Sequence, residues 1–138
     1  MSHQATETVK QFYQTVFQSG DTAAASHFMA DEFVDHAPWP GHPPTRAGFQ
    51  AGTEEMRAAF PDLAIRPVMI FAEEDKVAAA VRISGTQHGE FMGHKGTGRA
   101  FEIDGVDILR VKNGKLLEHW GVIDIQQMLA QLRLSPAT

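Results

Sequence analysis

The sequence contains no cysteine, which excludes disulfide bonds, thiolate nucleophiles and cysteine-ligated metal centres. It also has no apolar run long enough to cross a lipid bilayer. Residues 1–8 are polar and lack the apolar core of a secretory signal. We therefore expect a cytoplasmic protein with no membrane contact.

Positive charge is sparse and dispersed. The 12 lysines and arginines stand against 17 aspartates and glutamates, which gives a formal net charge of -5 at pH 7. No cluster of basic residues could neutralise a row of phosphates or an anionic lipid surface. We therefore expect neither nucleic acid nor a membrane as a partner.

The chain has 138 residues, of which 43% are hydrophobic and 21% charged. This size and composition are typical of one folded domain, here residues 1–138. Helical spacing of apolar residues predicts helices at 6–18, just after Asp21, at 46–60 and at 125–132. Period-two patterns predict strands at 64–72, 76–88, 99–111 and 115–123, after a short extended piece at 33–36. Helices followed by strands with short turns indicate an α+β fold.

Short motifs are spread over nearly the whole chain. They are Ser19-Gly20-Asp21, the DEFVDH segment 31–36, FPDL at 60–63, GTQHG at 85–89, Thr97-Gly98-Arg99, NGKL at 113–116 and EHW at 118–120. In this order and spacing they resemble the SnoaL-like polyketide cyclases, a branch of the nuclear transport factor 2-like superfamily.

The resemblance implies an α+β cone, in which N-terminal helices pack on a curved antiparallel sheet and a short C-terminal helix follows. It implies a pocket at the open end and a homodimer through the convex sheet face. It further implies a cofactor-free intramolecular aldol condensation of a hydrophobic, carbonyl-bearing small molecule, with an acidic residue as acid/base catalyst. Isomerases, dehydratases, epoxide hydrolases and non-catalytic binding proteins share the scaffold, so these functions remain alternatives.

Two residues near the Asn113-Gly114 turn are candidates for the acid/base group. A three-residue loop with a glycine bulge would pair Asp107 with His119 across the hairpin and place both in the pocket. A two-residue loop would instead set Asp107 beside Trp120 and separate the two side chains. We adopt the first register as our prediction.

Asp124 is a third candidate, because it follows the His-Trp pair. Its sequence context, Asp124-Ile125-Gln126-Gln127, is also typical of a helix N-cap, which we favour. The resemblance implies a catalytic carboxylate just before this capping position, and glycine, Gly121, stands there. The pocket acid would then be Asp107 on the adjacent strand.

The pocket should have a polar mouth and apolar walls. We expect His36 near the mouth, Trp39 of the proline-rich loop 37–45 over it, and His88 as a further inward-facing candidate. The expected wall residues are Phe12, Val16, Phe33, Phe49, Met56, Phe60, Leu109 and Leu117. An apolar stripe of Ile108, Leu116, Trp120 and Val122 should form the dimer face. No spacing typical of metal ligands occurs, so we expect no metal.

Overall fold

The computed structural model describes residues 2–134. Helix α1 (Ser2–Phe12) continues directly into a π-helix (Tyr13–Gln18), and a 3-10 helix (Thr22–Phe28) follows. Helices α2 (Arg46–Ala59) and α3 (Ile125–Leu132) complete the helical part. None of the helices in this range is both long and apolar enough to span a membrane.

The sequence predicted one helix over residues 6–18, but its second half is wound more loosely. The amide of Ser19 donates to the carbonyl of Gln14 at 2.8 Å, the five-residue spacing of a π-helix. The wider turn changes which side chains share a face, so Phe17 comes to lie near Phe12, with ring centroids 5.7 Å apart.

Five strands form one open sheet: β1 (Met29–Asp35), β2 (Ala64–Glu73), β3 (Lys76–Thr86), β4 (Ala100–Lys112) and β5 (Lys115–Ile123). Their spatial order is β1-β5-β4-β3-β2. Strands β2 to β5 form the predicted antiparallel meander. Strand β1 lies parallel to β5, so the expectation of a purely antiparallel sheet is corrected at this edge.

The β4–β5 hairpin differs from the predicted register. Both turn residues, Asn113 and Gly114, have positive φ, at 52° and 75°, so the loop has two residues and Lys112 pairs with Lys115. Such turns match the twist of the flanking strands. That register alone would separate Asp107 from His119.

A bulge at Leu117 brings Asp107 and His119 close together again. Val111 pairs with Leu116, whereas the next residue on β4, Arg110, pairs with Glu118. The skipped residue shifts the register by one, so Leu109 lies opposite His119 and Asp107 lies opposite Gly121. Because side chains alternate between faces, Asp107 and His119 then lie on the same face as diagonal neighbours.

The bulge also exchanges the roles of two leucines. Leu116 was expected on the outer face, but it is fully buried in the core. Leu117 was expected in the pocket wall, but it is the bulged residue and only half-buried. The inner face of the sheet packs against α1 and the π-helix, and the core lies between these layers.

These leucines provide a test of the register. We expect Leu116→Ala to lower the free energy of unfolding by about 2–5 kcal/mol, because it opens a cavity in a closed core. We expect less than about 1 kcal/mol for Leu117→Ala, since its side chain is half-exposed. Urea unfolding of both variants measures the difference. Equal losses, or a larger loss for Leu117, would contradict the observed register.

Candidate active site

A cavity of about 300 Å³ lies between the helices and the inner face of the sheet. Its lining residues come from all five strands, from α1, the π-helix, α2 and the first residue of α3, and from the proline-rich loop. They are Phe12, Tyr13, Phe17, Met29, Phe33, Asp35, Ala37, Pro38, Trp39, Pro40, Phe49, Ile65, Ile83, Asp107, Leu109, His119, Gly121, Val122, Ile123 and Ile125. Most are apolar, and the polar ones are few, which is typical of a pocket for a small hydrophobic molecule.

Aromatic rings form much of the wall. Phe49 lies 5.9 Å from Phe12 and 6.3 Å from Phe33, measured between ring centroids. Trp39 extends this wall from the proline-rich loop, and its indole N–H donates to Thr53 Oγ1 of α2 at 3.0 Å. A Cβ at Gly52 would approach the Trp39 side chain to 2.6 Å, so glycine leaves the space that the indole occupies.

The polar groups form one continuous hydrogen-bonded chain of four side chains. Asp35 Oδ1 lies 2.7 Å from His119 Nδ1, and His119 Nε2 lies 2.8 Å from Asp107 Oδ1. The hydroxyl of Tyr13 donates to the second oxygen, Asp107 Oδ2, at 2.5 Å. Because ionised carboxylates only accept hydrogen bonds, both ring nitrogens of His119 carry protons in this arrangement.

Three strands and one helix bring these groups together. The parallel pairing of β1 with β5 sets Asp35 opposite His119, and the bulge places Asp107 beside it. Gly121 makes the second contact possible: a Cβ there would lie 2.7 Å from Asp107 Oδ1 and 2.8 Å from His119 Nε2. The residue at the position where the resemblance places the catalytic acid is therefore the one that leaves room for the Asp107–His119 pair.

The environment of His119 favours its charged form. Burial alone would lower its pKa, but the hydrogen bonds to Asp107 and Asp35, together with their negative charges, outweigh that effect and raise the pKa to about 9. His119 is therefore an imidazolium at neutral pH. With two carboxylates and one imidazolium, the polar end of the cavity carries a net negative charge.

Tyr13 is held in its neutral form. Burial, the negative charge of Asp107 and the hydrogen bond to Asp107 all raise the pKa of the phenol well above its ordinary value of 10.0. Tyr13 therefore remains a hydrogen-bond donor to Asp107 at any physiological pH.

The structure brings together several of the residues predicted from sequence. Asp107 and His119 meet in the cavity, although the register that brings them there was predicted incorrectly. Trp39 lies in the cavity wall, and so do four of the eight predicted wall residues. These four are Phe12, Phe33, Phe49 and Leu109.

The other four predicted wall residues lie outside the cavity lining. Val16 and Met56 are buried in the core, and Leu117 is displaced by the bulge. Phe60 is buried between Phe91 and Phe101, at centroid distances of 5.2 and 5.1 Å. Helical or strand spacing identifies a buried face, but it does not separate the part that borders a cavity from the part that is closely packed.

Three polar candidates also lie elsewhere. His88 is exposed. His36 lies on the outer face, where its ring stacks on Trp120 at 4.9 Å and contacts Glu118 Oε2 at 2.9 Å. Asp124 caps α3 by accepting from the amide of Gln127 at 3.1 Å, as its capping pattern predicted.

Sequence reasoning missed two members of the hydrogen-bonded chain. Tyr13 falls within the helix predicted at 6–18, among apolar side chains; it is the only tyrosine in the sequence, and a lone hydroxyl on such a face needs a partner. Asp35 was not considered as a partner of His119, although strand alternation puts it on the same face as Phe33. Across residues 2–134, no cluster of three His, Asp or Glu side chains is arranged to hold a metal ion.

The raised pKa of His119 predicts a pH dependence of stability. Below pH 6.5 both folded and unfolded chains bind this proton, so the stabilisation is fully present. Between 6.5 and about 9 only the folded chain binds it, so stability falls as pH rises, by up to about 3 kcal/mol in total. Urea unfolding at several pH values between 6 and 9.5 measures the decline.

The matched control is His36→Asn, which removes the imidazole of the outer-face pair. We expect this variant to lose stability over the same pH interval as the parent protein. A parent protein whose unfolding free energy is constant between pH 6.5 and 9 would contradict the imidazolium assignment.

Comparison with solved structures supports the fold and the family. IdmH from Streptomyces antibioticus, a candidate polyketide cyclase, is 34% identical, covers 96% of this chain and 100% of its own, and superposes with a TM-score of 0.82. AclR from Streptomyces galilaeus, a candidate hydroxylase, is 27% identical over 99% of this chain and 100% of its own, with a TM-score of 0.85. TsrD from Streptomyces laurentii shares the fold at 22% identity and a TM-score of 0.83, covering 96% of this chain and 97% of its own.

Sequence comparison gives the same assignment. No curated protein sequence matches the chain. The family model for SnoaL-like polyketide cyclases matches residues 7–132, which is nearly all of the described range. The chain therefore belongs to the SnoaL-like polyketide cyclase family and has its nuclear transport factor 2-like α+β fold.

Proposed function

We propose that this protein is a cofactor-free enzyme of the polyketide-cyclase type, which uses Asp107 as the base on a hydrophobic, carbonyl-bearing small molecule. The observation that carries the proposal is the hydrogen-bonded Asp35–His119–Asp107–Tyr13 chain at the polar end of an aromatic cavity. Asp107 is the more accessible of the two carboxylates: 19% of its side chain is exposed, against 1% for Asp35.

The arrangement suits removal of a proton from a carbon next to a carbonyl group. Each oxygen of Asp107 accepts one hydrogen bond, from His119 or from Tyr13, and a carboxylate oxygen has room for a second. A substrate C–H could therefore approach either oxygen without breaking the existing bonds. The positive charge of His119 would stabilise the enolate that forms, and the aromatic walls would hold the substrate folded.

The proposed reaction is balanced without a cofactor. Asp107 takes the proton, and the enolate carbon forms a bond to a second carbonyl carbon of the same molecule. The resulting alkoxide then takes the proton back from Asp107. The likeness to IdmH, whose description names a candidate polyketide cyclase, supports this reaction class.

Deuterium exchange tests the proposed base without knowledge of the natural substrate. The probe is acetophenone in D2O, whose methyl hydrogens exchange when a base removes them, followed by NMR. We expect the protein to accelerate exchange and Asp107→Asn to reduce that acceleration by about 10²–10⁴-fold.

Asp124→Asn is the matched control, because asparagine also caps helices well and should leave exchange unchanged. Loss of exchange in a folded Asp124→Asn protein, with activity retained in Asp107→Asn, would show that the base had been assigned to the wrong residue. Binding of acetophenone with no exchange in any variant would favour a non-catalytic binding protein on the same scaffold.

We also propose that the protein is a homodimer through the outer face of its sheet. Two apolar rows cross strands β2, β3, β4 and β5 there. The first row is Phe71, Ala78, Ile108 and Trp120, and the second is Met69, Ala80, Val106 and Val122. The exposed fraction reaches 66% for Phe71 and 71% for Val122. A continuous apolar face of this kind is typical of a protein–protein interface, and a second copy would bury it symmetrically.

Light scattering tests the dimer. We expect a species of twice the 15.2 kDa chain mass and conversion to the single-chain mass in Ile108→Lys, because a lysine would be desolvated in the centre of the interface. Met92→Lys, at an exposed loop residue away from the sheet, should leave the mass unchanged. A single-chain mass for the parent protein at micromolar concentration would contradict the proposal.

A further inference from the structure

We propose that Asp35 is a positioning residue, which holds His119 as an imidazolium and fixes the direction of its Nε2–H toward Asp107. This inference rests on the proposed function for its chemical meaning, but its structural part can be tested independently. Asp35 is 1% exposed and lies at the end of an edge strand.

The first argument is geometric. Asp35 Oδ1 accepts from His119 Nδ1 at 2.7 Å and from the amide of Ala37 at 3.0 Å. The hydrogen bond from the Ala37 amide holds the carboxylate against the backbone. The parallel register of β1 and β5 then fixes its position relative to His119. The imidazole therefore has one ring nitrogen anchored, which leaves Nε2 aimed at Asp107.

The second argument concerns charge. The titratable groups in the hydrogen-bonded chain around His119 are Asp35 from β1, Asp107 from β4 and, through Asp107, Tyr13 from the π-helix. Glu118 precedes His119 on β5 but points to the opposite face. With Asp107 as its only partner, a buried histidine could share one proton with it, and Asp107 would lose its negative charge. The second carboxylate opposes that outcome, because it stabilises the imidazolium from the other side.

The same pair of parallel strands supplies a comparison on the outer face of the sheet. There β5 contributes the acid, Glu118, and the residue that follows β1 contributes the imidazole, His36, with 2.9 Å between them. Glu118 also contacts Arg110 at 3.2 Å, and the His36 side chain is 41% exposed. The two acid–imidazole pairs thus lie on opposite faces of the sheet, where β1 pairs with β5, but only the inner pair borders the cavity. Removal of the charge of Glu118 is therefore a control for effects on the strands themselves.

The test is an NMR titration of the histidine rings in the full chain, with the His119 signal assigned by its loss in His119→Gln. In the parent protein we expect both ring nitrogens of His119 to be protonated at pH 8. In Asp35→Asn, which keeps an acceptor oxygen but removes the charge, we expect the titration midpoint to fall by at least about one pH unit. Glu118→Gln should leave the midpoint unchanged.

Three results would overturn the proposal. One is a midpoint in the parent protein near the ordinary histidine value, a measurement that needs no variant to fold. The second is an unchanged midpoint in folded Asp35→Asn, and the third is an equal fall in Glu118→Gln.

The exchange assay then separates this inference from the proposed function. If the parent protein exchanges acetophenone, we expect Asp35→Asn to resemble it at pH 6 and to be at least about threefold slower at pH 8.5. With a midpoint near 9, about three quarters of His119 is protonated at that pH, but with a midpoint near 8 only about a quarter is. If exchange by Asp35→Asn declines at the same alkaline pH as exchange by the parent protein, the positioning role is overturned. A shifted midpoint in a protein that never catalyses exchange would overturn only the proposed function.

Discussion

The interaction on which the candidate site depends is the imidazolium of His119 held between two carboxylates. It ties together three strands, because Asp35 lies on β1, His119 on β5 and Asp107 on β4. Two carboxylates on either side of one largely buried ring would repel each other, and the intervening cation removes most of that cost. Tyr13 then connects the same cluster to the helical layer. One buried charge arrangement thus organises both the sheet edge and the polar end of the cavity.

The cluster also gathers the polar groups of the cavity at one end. Its acceptors and donors satisfy one another, so the remaining lining can be almost entirely apolar without leaving buried polar atoms unpaired. The aromatic wall of Phe12, Phe33 and Phe49 is joined by Trp39, whose indole is fixed to Thr53. A ligand in such a cavity would meet a charged network at one end and aromatic rings elsewhere, and in the proposed reaction this contrast would turn the acidic C–H of the substrate toward Asp107.

The outer face of the sheet shows how one strand pair can serve two surfaces. Because side chains alternate, Asp35 and His119 face the cavity while His36 and Glu118 face outward. The outward pair adjoins Trp120 and the apolar rows on which the proposed dimer depends. A change in β1 pairing would therefore alter the cavity and the outer face together.

Although the sequence named Asp107 and His119 as candidates through a hairpin register that was wrong, it determined by itself the fold class, the approximate bounds of most elements and the helix cap at Asp124. These features depend on local periodicity, turn chemistry and short motifs, which a single sequence contains. Tertiary structure decided the rest. The Leu117 bulge, the parallel pairing of β1, the π-helix that carries Tyr13 and the space left by Gly121 each depend on contacts between distant segments. A two-residue turn alone would have separated Asp107 from His119, and only the packing of Leu116 into the core shows why the strand accepts an extra residue.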